Sequence, residues 1–150
     1  MSNNFTPTER MESIKAGVIT GASALVLFTI YRSLDFWVLP EQFTLNYGEL
    51  LVSGLSAIIS SFLFGATYRY VIRNDHNVHL KSGAVLAFVI VRFLAEIERY
   101  FGEVSHVLQL QNLPLLSLAK LGIENVLLFA IGALCLDFCF RKKWVKPFSN

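Results

Sequence analysis

Arg92 and Glu124 carry opposite charges deep inside stretches that are otherwise apolar. Removing an ionised side chain from water costs on the order of 3 kcal/mol unless it is paired or hydrated. Three chemistries follow: an ion pair that locks two helices, a polar step in an ion or proton path, or a ligand site for a pigment or lipid cofactor. Further charges surround the two. Arg92, Glu96, Arg99 and Glu103 share one helix face, where i,i+4 spacing allows pairing along the helix. Arg32 and Asp35 form an i,i+3 pair on an earlier helix. One antiparallel register would oppose Arg92 to Glu124, Glu96 to Lys120, Gly83 to Ala133 and His79 to Asp137, which predicts a charge ladder between two helices. Locking of helix order is the preferred role for this network, ahead of a ligand or pigment site and of transport.

The elements that hold these charges are four apolar runs, at about 14–39, 48–72, 82–101 and 115–140. About 20 helical residues cross a hydrocarbon core of about 30 Å, so each run is long enough for one crossing. The fold class read from this pattern is all-α, a polytopic membrane protein with four transmembrane helices in a single domain over residues 1–150. A composition of 54% hydrophobic and 13% aromatic residues leaves no polar region large enough for a separate soluble domain.

Orientation follows from the basic residues, because short loops retained on the cytoplasmic side keep Lys and Arg. They gather at Arg10 and Lys15, at Arg69, Arg73 and Lys81, and at Arg141, Lys142, Lys143 and Lys146. The gaps Pro40–Tyr47 and 102–114 contain Glu41 and Glu103 but no Lys or Arg. Both termini are therefore expected on the cytoplasmic or stromal side. The first run is too long for a signal-peptide core and is expected to stay as an anchor. Arg141, Lys142, Lys143 and Lys146, with Trp144 and Phe148 among them, read as a basic anchor on an anionic lipid surface. A net charge of +2, concentrated in that tail, speaks against a nucleic-acid partner.

Ser53, Ala57, Ser61 and Gly65 fall four apart and make a stripe of small residues, the kind of face on which membrane helices approach closely. Gly17 and Gly21 offer a shorter stripe. Packing within the chain is preferred over a homo-oligomer seam, which stays open. Trp37 and Tyr47 mark a membrane boundary. The segment 97–113 has the periodicity of an interfacial helix. Phe28, Phe62, Phe88 and Phe129 are expected to face lipid.

Cofactor and catalytic signals are sparse. His76, His79 and His106 all lie in connections, so no haem is expected. Asp75, His76 and His79 are read as solvated polar residues and no metal is assigned. Cys135 and Cys139, one turn apart, read as small apolar fillers rather than a disulfide. No Ser-His-Asp set, His-Glu-x-x-His motif or glycine-rich phosphate loop occurs, and the chain is read as no enzyme.

Phe64-Gly65-Ala66-Thr67-Tyr68-Arg69-Tyr70, continuing through Arg73, Asp75, Leu80, Gly83 and Arg92, resembles small uncharacterised four-helix membrane proteins of cyanobacteria and chloroplasts. The resemblance covers residues 64–92, brings no catalytic residues with it, and implies a thylakoid setting. Gly65-Ala66 with Arg69-Tyr70 also looks like a fragment of the small four-helix fluoride channels. The resemblance fails elsewhere: that family's Thr-Thr-Phe-Ser-Thr signature and its membrane Asn are both read as absent. The expected function is a non-catalytic integral membrane subunit, or an assembly or stabilisation factor, of a larger membrane complex, with a photosynthetic complex among the candidates. Its partners would be membrane lipids and other integral membrane subunits, in a thylakoid or bacterial inner membrane. The alternatives are a small homo-oligomeric channel or transporter using Arg92 and Glu124, and a protein that binds chlorophyll, a carotenoid or a lipid.

Overall fold

The computed structural model describes residues 7–38, 47–72, 78–102 and 115–146, and these form an all-α bundle. Four helices make it up: α1 Pro7–Val38, α2 Tyr47–Ile72, α3 Val78–Gly102 and α4 Leu115–Arg141. Each is long and apolar enough to span a membrane. α1 and α3 begin seven and four residues before the apolar runs do, because their first turns are polar. Pro7 suits the first helical position, where its missing N–H has no intrahelical partner to lose. Of the segment read as an interfacial helix, residues 97–102 continue α3, and the remainder lies outside the described residues.

The helices run alternately up and down. α1 packs on α2 and α4, α3 packs on the same two, and α2 touches α4 across the middle. α1 and α3 therefore stand at opposite corners. The closest seam joins α1 to α2. Gly65 lies so near α1 that an added Cβ would stand 2.6 Å from the Ala16 carbonyl oxygen. The Thr20 hydroxyl, also in that seam, donates across to the Ser61 carbonyl at 2.7 Å. The small-residue face Ser53, Ala57, Ser61 and Gly65 is buried throughout.

An aromatic centre joins α2, α3 and α4. The Phe64 ring lies 5.3 Å from Phe88 and 5.2 Å from Phe129, both near edge-on, an arrangement that aromatic quadrupoles favour. Phe129 is fully buried and Phe28, Phe62 and Phe88 are half-buried, which corrects the expectation that these four face lipid. Rings are large enough to fill the gap that three helix axes leave between them, and this one needed filling.

The outer surface is apolar. Leu25, Ile30, Leu55, Ile59, Leu86 and Leu116 are all exposed, and so large a continuous apolar surface is not stable against water. α3 is the least enclosed helix: among its described side chains only Val89 and Arg92 are buried.

α4 ends in a Schellman motif. The Trp144 N–H donates to the Cys139 carbonyl and the Lys143 N–H to the Phe140 carbonyl, with Lys143 in the left-handed region at φ 58°. Lys stands where glycine is usual, so tertiary contacts must hold the turn. Val145 just beyond it is 1% exposed.

Candidate functional site

The six charges singled out in the sequence fall into two groups, and all of them but Lys120 line one cavity. In the first, Lys120 of α4 pairs with Asp35 of α1, and its Nζ stands 3.8 Å from Glu124. Arg32 approaches Asp35 at 3.8 Å and lies over the Phe28 ring. In the second, Arg92 Nη2 stands 2.6 Å from Glu96, one turn along α3. Arg92 Nη1 donates to the Ser56 and Ser60 hydroxyls of α2 at 3.0 and 3.2 Å. Asn125 Nδ2 of α4 donates to Glu96 at 2.5 Å and to the Leu121 carbonyl.

The expected Arg92–Glu124 pair is therefore corrected: Arg92 pairs with Glu96, and the ion partner of Glu124 is Lys120. The Glu96–Lys120 rung is likewise replaced, since Glu96 meets Asn125 and Lys120 meets Asp35. Further along, Asp137 meets Lys81 at 2.8 Å and the Tyr68 hydroxyl at 3.4 Å, where the ladder had opposed it to His79. The physical reason lies in side-chain direction. Helical side chains lean toward the N-terminus of their own helix, so long ones on antiparallel helices meet at levels away from their Cα atoms. Arg92 also has Glu96 on its own face, and a partner one turn away needs no tertiary register at all.

Asn125 was missed because an uncharged amide in an apolar run looks like tolerated polarity. It is 2% exposed. The signal for it was its place beside Glu124, on the α4 turn that follows Lys120.

The two groups face a cavity of about 70 Å³, whose lining includes Tyr31, Asp35, Arg92, Glu96, Glu124 and Asn125. That is room for more than one water, and polar walls supply the partners a buried water needs. Three basic and three acidic side chains make the six-residue network neutral. Low local dielectric strengthens each contact but makes any orphaned charge costly, so the set stands or falls together.

A second polar site lies at the opposite end of the bundle. Arg69, expected to be a loop charge that sets orientation, is 1% exposed. Its Nη1 donates to the Glu9 carbonyl at 3.0 Å and to Ser13 Oγ at 2.7 Å, and its Nε to the Lys146 carbonyl at 2.8 Å. The Lys146 N–H donates in turn to Glu12 at 3.0 Å. The tail is thus attached through its backbone, while the Arg141, Lys142, Lys143 and Lys146 side chains stay exposed. This clasp explains why α1 begins so early: its polar first turns are partners for Arg69 and for the tail.

Among the described residues no group of three or more His, Cys, Asp or Glu side chains could hold a metal ion. Asp75 and His76 lie outside the described residues. Cys135 and Cys139 are free thiols. No protein-family model matches the chain, and no curated protein or solved structure matches it either.

Proposed function

We propose that the chain is a non-catalytic integral membrane protein that serves as a subunit or assembly factor of a larger membrane complex. Both termini would face the cytoplasm or stroma. The observation that carries the reading is the position of α3: it stands at a corner of the bundle with Leu86, Ile90 and Leu94 exposed along one stripe. In a bilayer such a stripe can take a partner helix as readily as lipid, because packing rather than water exclusion drives association there. The six-residue charge network is neutral and gives every member an ion partner, which fits a scaffold, since it leaves no net charge of its own to hold a permeant ion. A photosynthetic membrane is the setting that the resemblance over residues 64–92 favours.

A second reading, a small homo-oligomeric channel or transporter, draws on the 70 Å³ polar cavity beside Arg92 and Glu124. Purification of the full chain from its source membrane in mild detergent, with mass spectrometry and an absorption spectrum, separates the two. The scaffold reading expects other membrane subunits in fixed ratio, lost when Leu86 and Ile90 are both changed to Ala while the chain still accumulates. A single-species oligomer that the double change leaves intact contradicts the scaffold, and a co-purifying chromophore would make the protein a pigment carrier.

A further inference from the structure

A groove of about 330 Å³ runs between α2 and α3 and shares Ser53, Arg92, Glu96 and Arg99 with the lining of the charged cavity. Its volume is at the lower end of small-molecule sites. Val52, Leu63, Val91 and Ala95 on its walls are exposed, so it opens sideways on the apolar surface, and Phe88 and the buried Phe129 close its inner part. The two helices are antiparallel, which puts Val52 and Arg99 toward one end of the bundle and Leu63 and Phe88 deeper. The 11 residues from Val52 to Leu63 span about 16 Å at 1.5 Å per residue. Half of a hydrocarbon core of about 30 Å is nearly the same length. The groove therefore has the reach of one acyl chain in one leaflet, entered from the lipid side.

Two observations specify the head group. Arg92 and Arg99 against Glu96 leave the groove with one surplus positive charge. Arg92, 9% exposed, also keeps a buried Nε–H with no acceptor, although both its Nη atoms are engaged. A buried donor without a partner is uncommon and costly, and the side chain that carries it lines the groove.

We infer that the α2–α3 groove holds one chain of an anionic bilayer lipid, with the phosphate at Arg99 and acceptor oxygens toward Arg92. The site requires a bilayer but no partner complex, so a chain that purifies without other subunits leaves it standing.

The test uses the full chain, delipidated in mild detergent and offered phosphatidylglycerol or phosphatidylcholine with identical acyl chains, with native mass spectrometry counting retained lipid. One phosphatidylglycerol per chain should be retained, against at least about fivefold less phosphatidylcholine, the factor one basic side chain contributes beside an anionic surface. Arg99→Gln should reduce phosphatidylglycerol retention by about the same factor. Val91→Trp should fill the groove and abolish retention, whereas Val26→Trp on the outward face of α1 should change nothing. Equal retention of the two lipids, or unchanged retention in Arg99→Gln, overturns the assignment. Retention that persists in a folded Val91→Trp chain does so as well.

Discussion

Arg69 Nε donates to the backbone carbonyl of Lys146, fastening the last turn of α2 to a residue 77 positions later in the chain. The same guanidinium holds Glu9 and Ser13 at the start of α1, so one buried side chain ties three segments at one end of the bundle. Hydrogen bonds to a charged donor contribute about 1.5–3 kcal/mol each. Arg69→Leu should therefore destabilise the chain by about 3 kcal/mol or more and free the tail. The readouts are the thermal midpoint in detergent and the rate of trypsin cleavage at Lys142 and Lys143. Arg69→Lys should recover little, because an ammonium cannot present a planar fork to three acceptors. A parental midpoint with parental cleavage in Arg69→Leu would mean the clasp holds nothing.

Two glycines should respond oppositely to the same change. A Cβ on Gly65 would stand 2.1 Å from Thr20 Oγ1 and 2.6 Å from the Ala16 carbonyl oxygen, which is backbone and cannot swing aside. Gly65→Ala should then part α1 from α2 and cost about 1–3 kcal/mol. Gly83 has nothing within 4 Å of the same position. Gly83→Ala should stabilise α3 by about 0.5–1 kcal/mol through helix propensity. Circular-dichroism melts of both variants in one detergent decide the matter, and a harmless Gly65→Ala would show that the α1–α2 seam is looser than described.

How much of this was legible in the sequence differs by feature. The four helices were, because 20 or more apolar residues in a row have few other uses. The early start of α1 was not, since Thr8, Glu9 and Glu12 are polar, and Glu9 and Glu12 meet Arg69 and the tail only in the folded chain. Hydropathy places Arg69 at a helix end and hence in water, but the tail folds over it. Phe129 and a lipid-facing Phe look alike to composition, and only the meeting of three helices separates them. The charged residues at the cavity could be named from type and position. Their partners could not, because a long side chain reaches about a turn along its helix axis and Arg92 had a local alternative in Glu96.

The charge network makes a prediction that separates its two candidate pairings. Arg92→Leu leaves Glu96 without its cation, and loss of one member of a buried pair costs about 3–5 kcal/mol. Arg92→Leu with Glu96→Leu should restore much of the folded yield, while Arg92→Leu with Glu124→Leu should not, because Glu96 would remain uncompensated. The measurement is folded, monodisperse protein per unit of membrane, by fluorescence-detected gel filtration. Better rescue by Glu124→Leu than by Glu96→Leu would return the pairing to α3 and α4.

Unequal losses at the two ends of the bundle would extend this test. Lys81 and Asp137 form a half-buried pair at the tail end, with Tyr68 donating to the same carboxylate. Asp137→Asn keeps the shape and removes the charge, so it should weaken the α3–α4 contact by about 1 kcal/mol, less than the Arg92 change, because water reaches this pair. Thermal midpoints compare the two directly. An equal or larger loss at Asp137 would mean that the tail end, not the cavity, holds α3 in place.

The central claim is that four helices cross a membrane with both termini on one side, and single-cysteine labelling tests it most directly. In a background with Cys135→Ala and Cys139→Ala, cysteines are placed one at a time at Gln42, Asn74 and Asn112 and treated with an impermeant maleimide in sealed, oriented vesicles. Asn74 should label from the side of the termini, and Gln42 and Asn112 only from the other. Labelling of Asn74 and Asn112 from the same face would contradict the four-crossing arrangement and the orientation built on it.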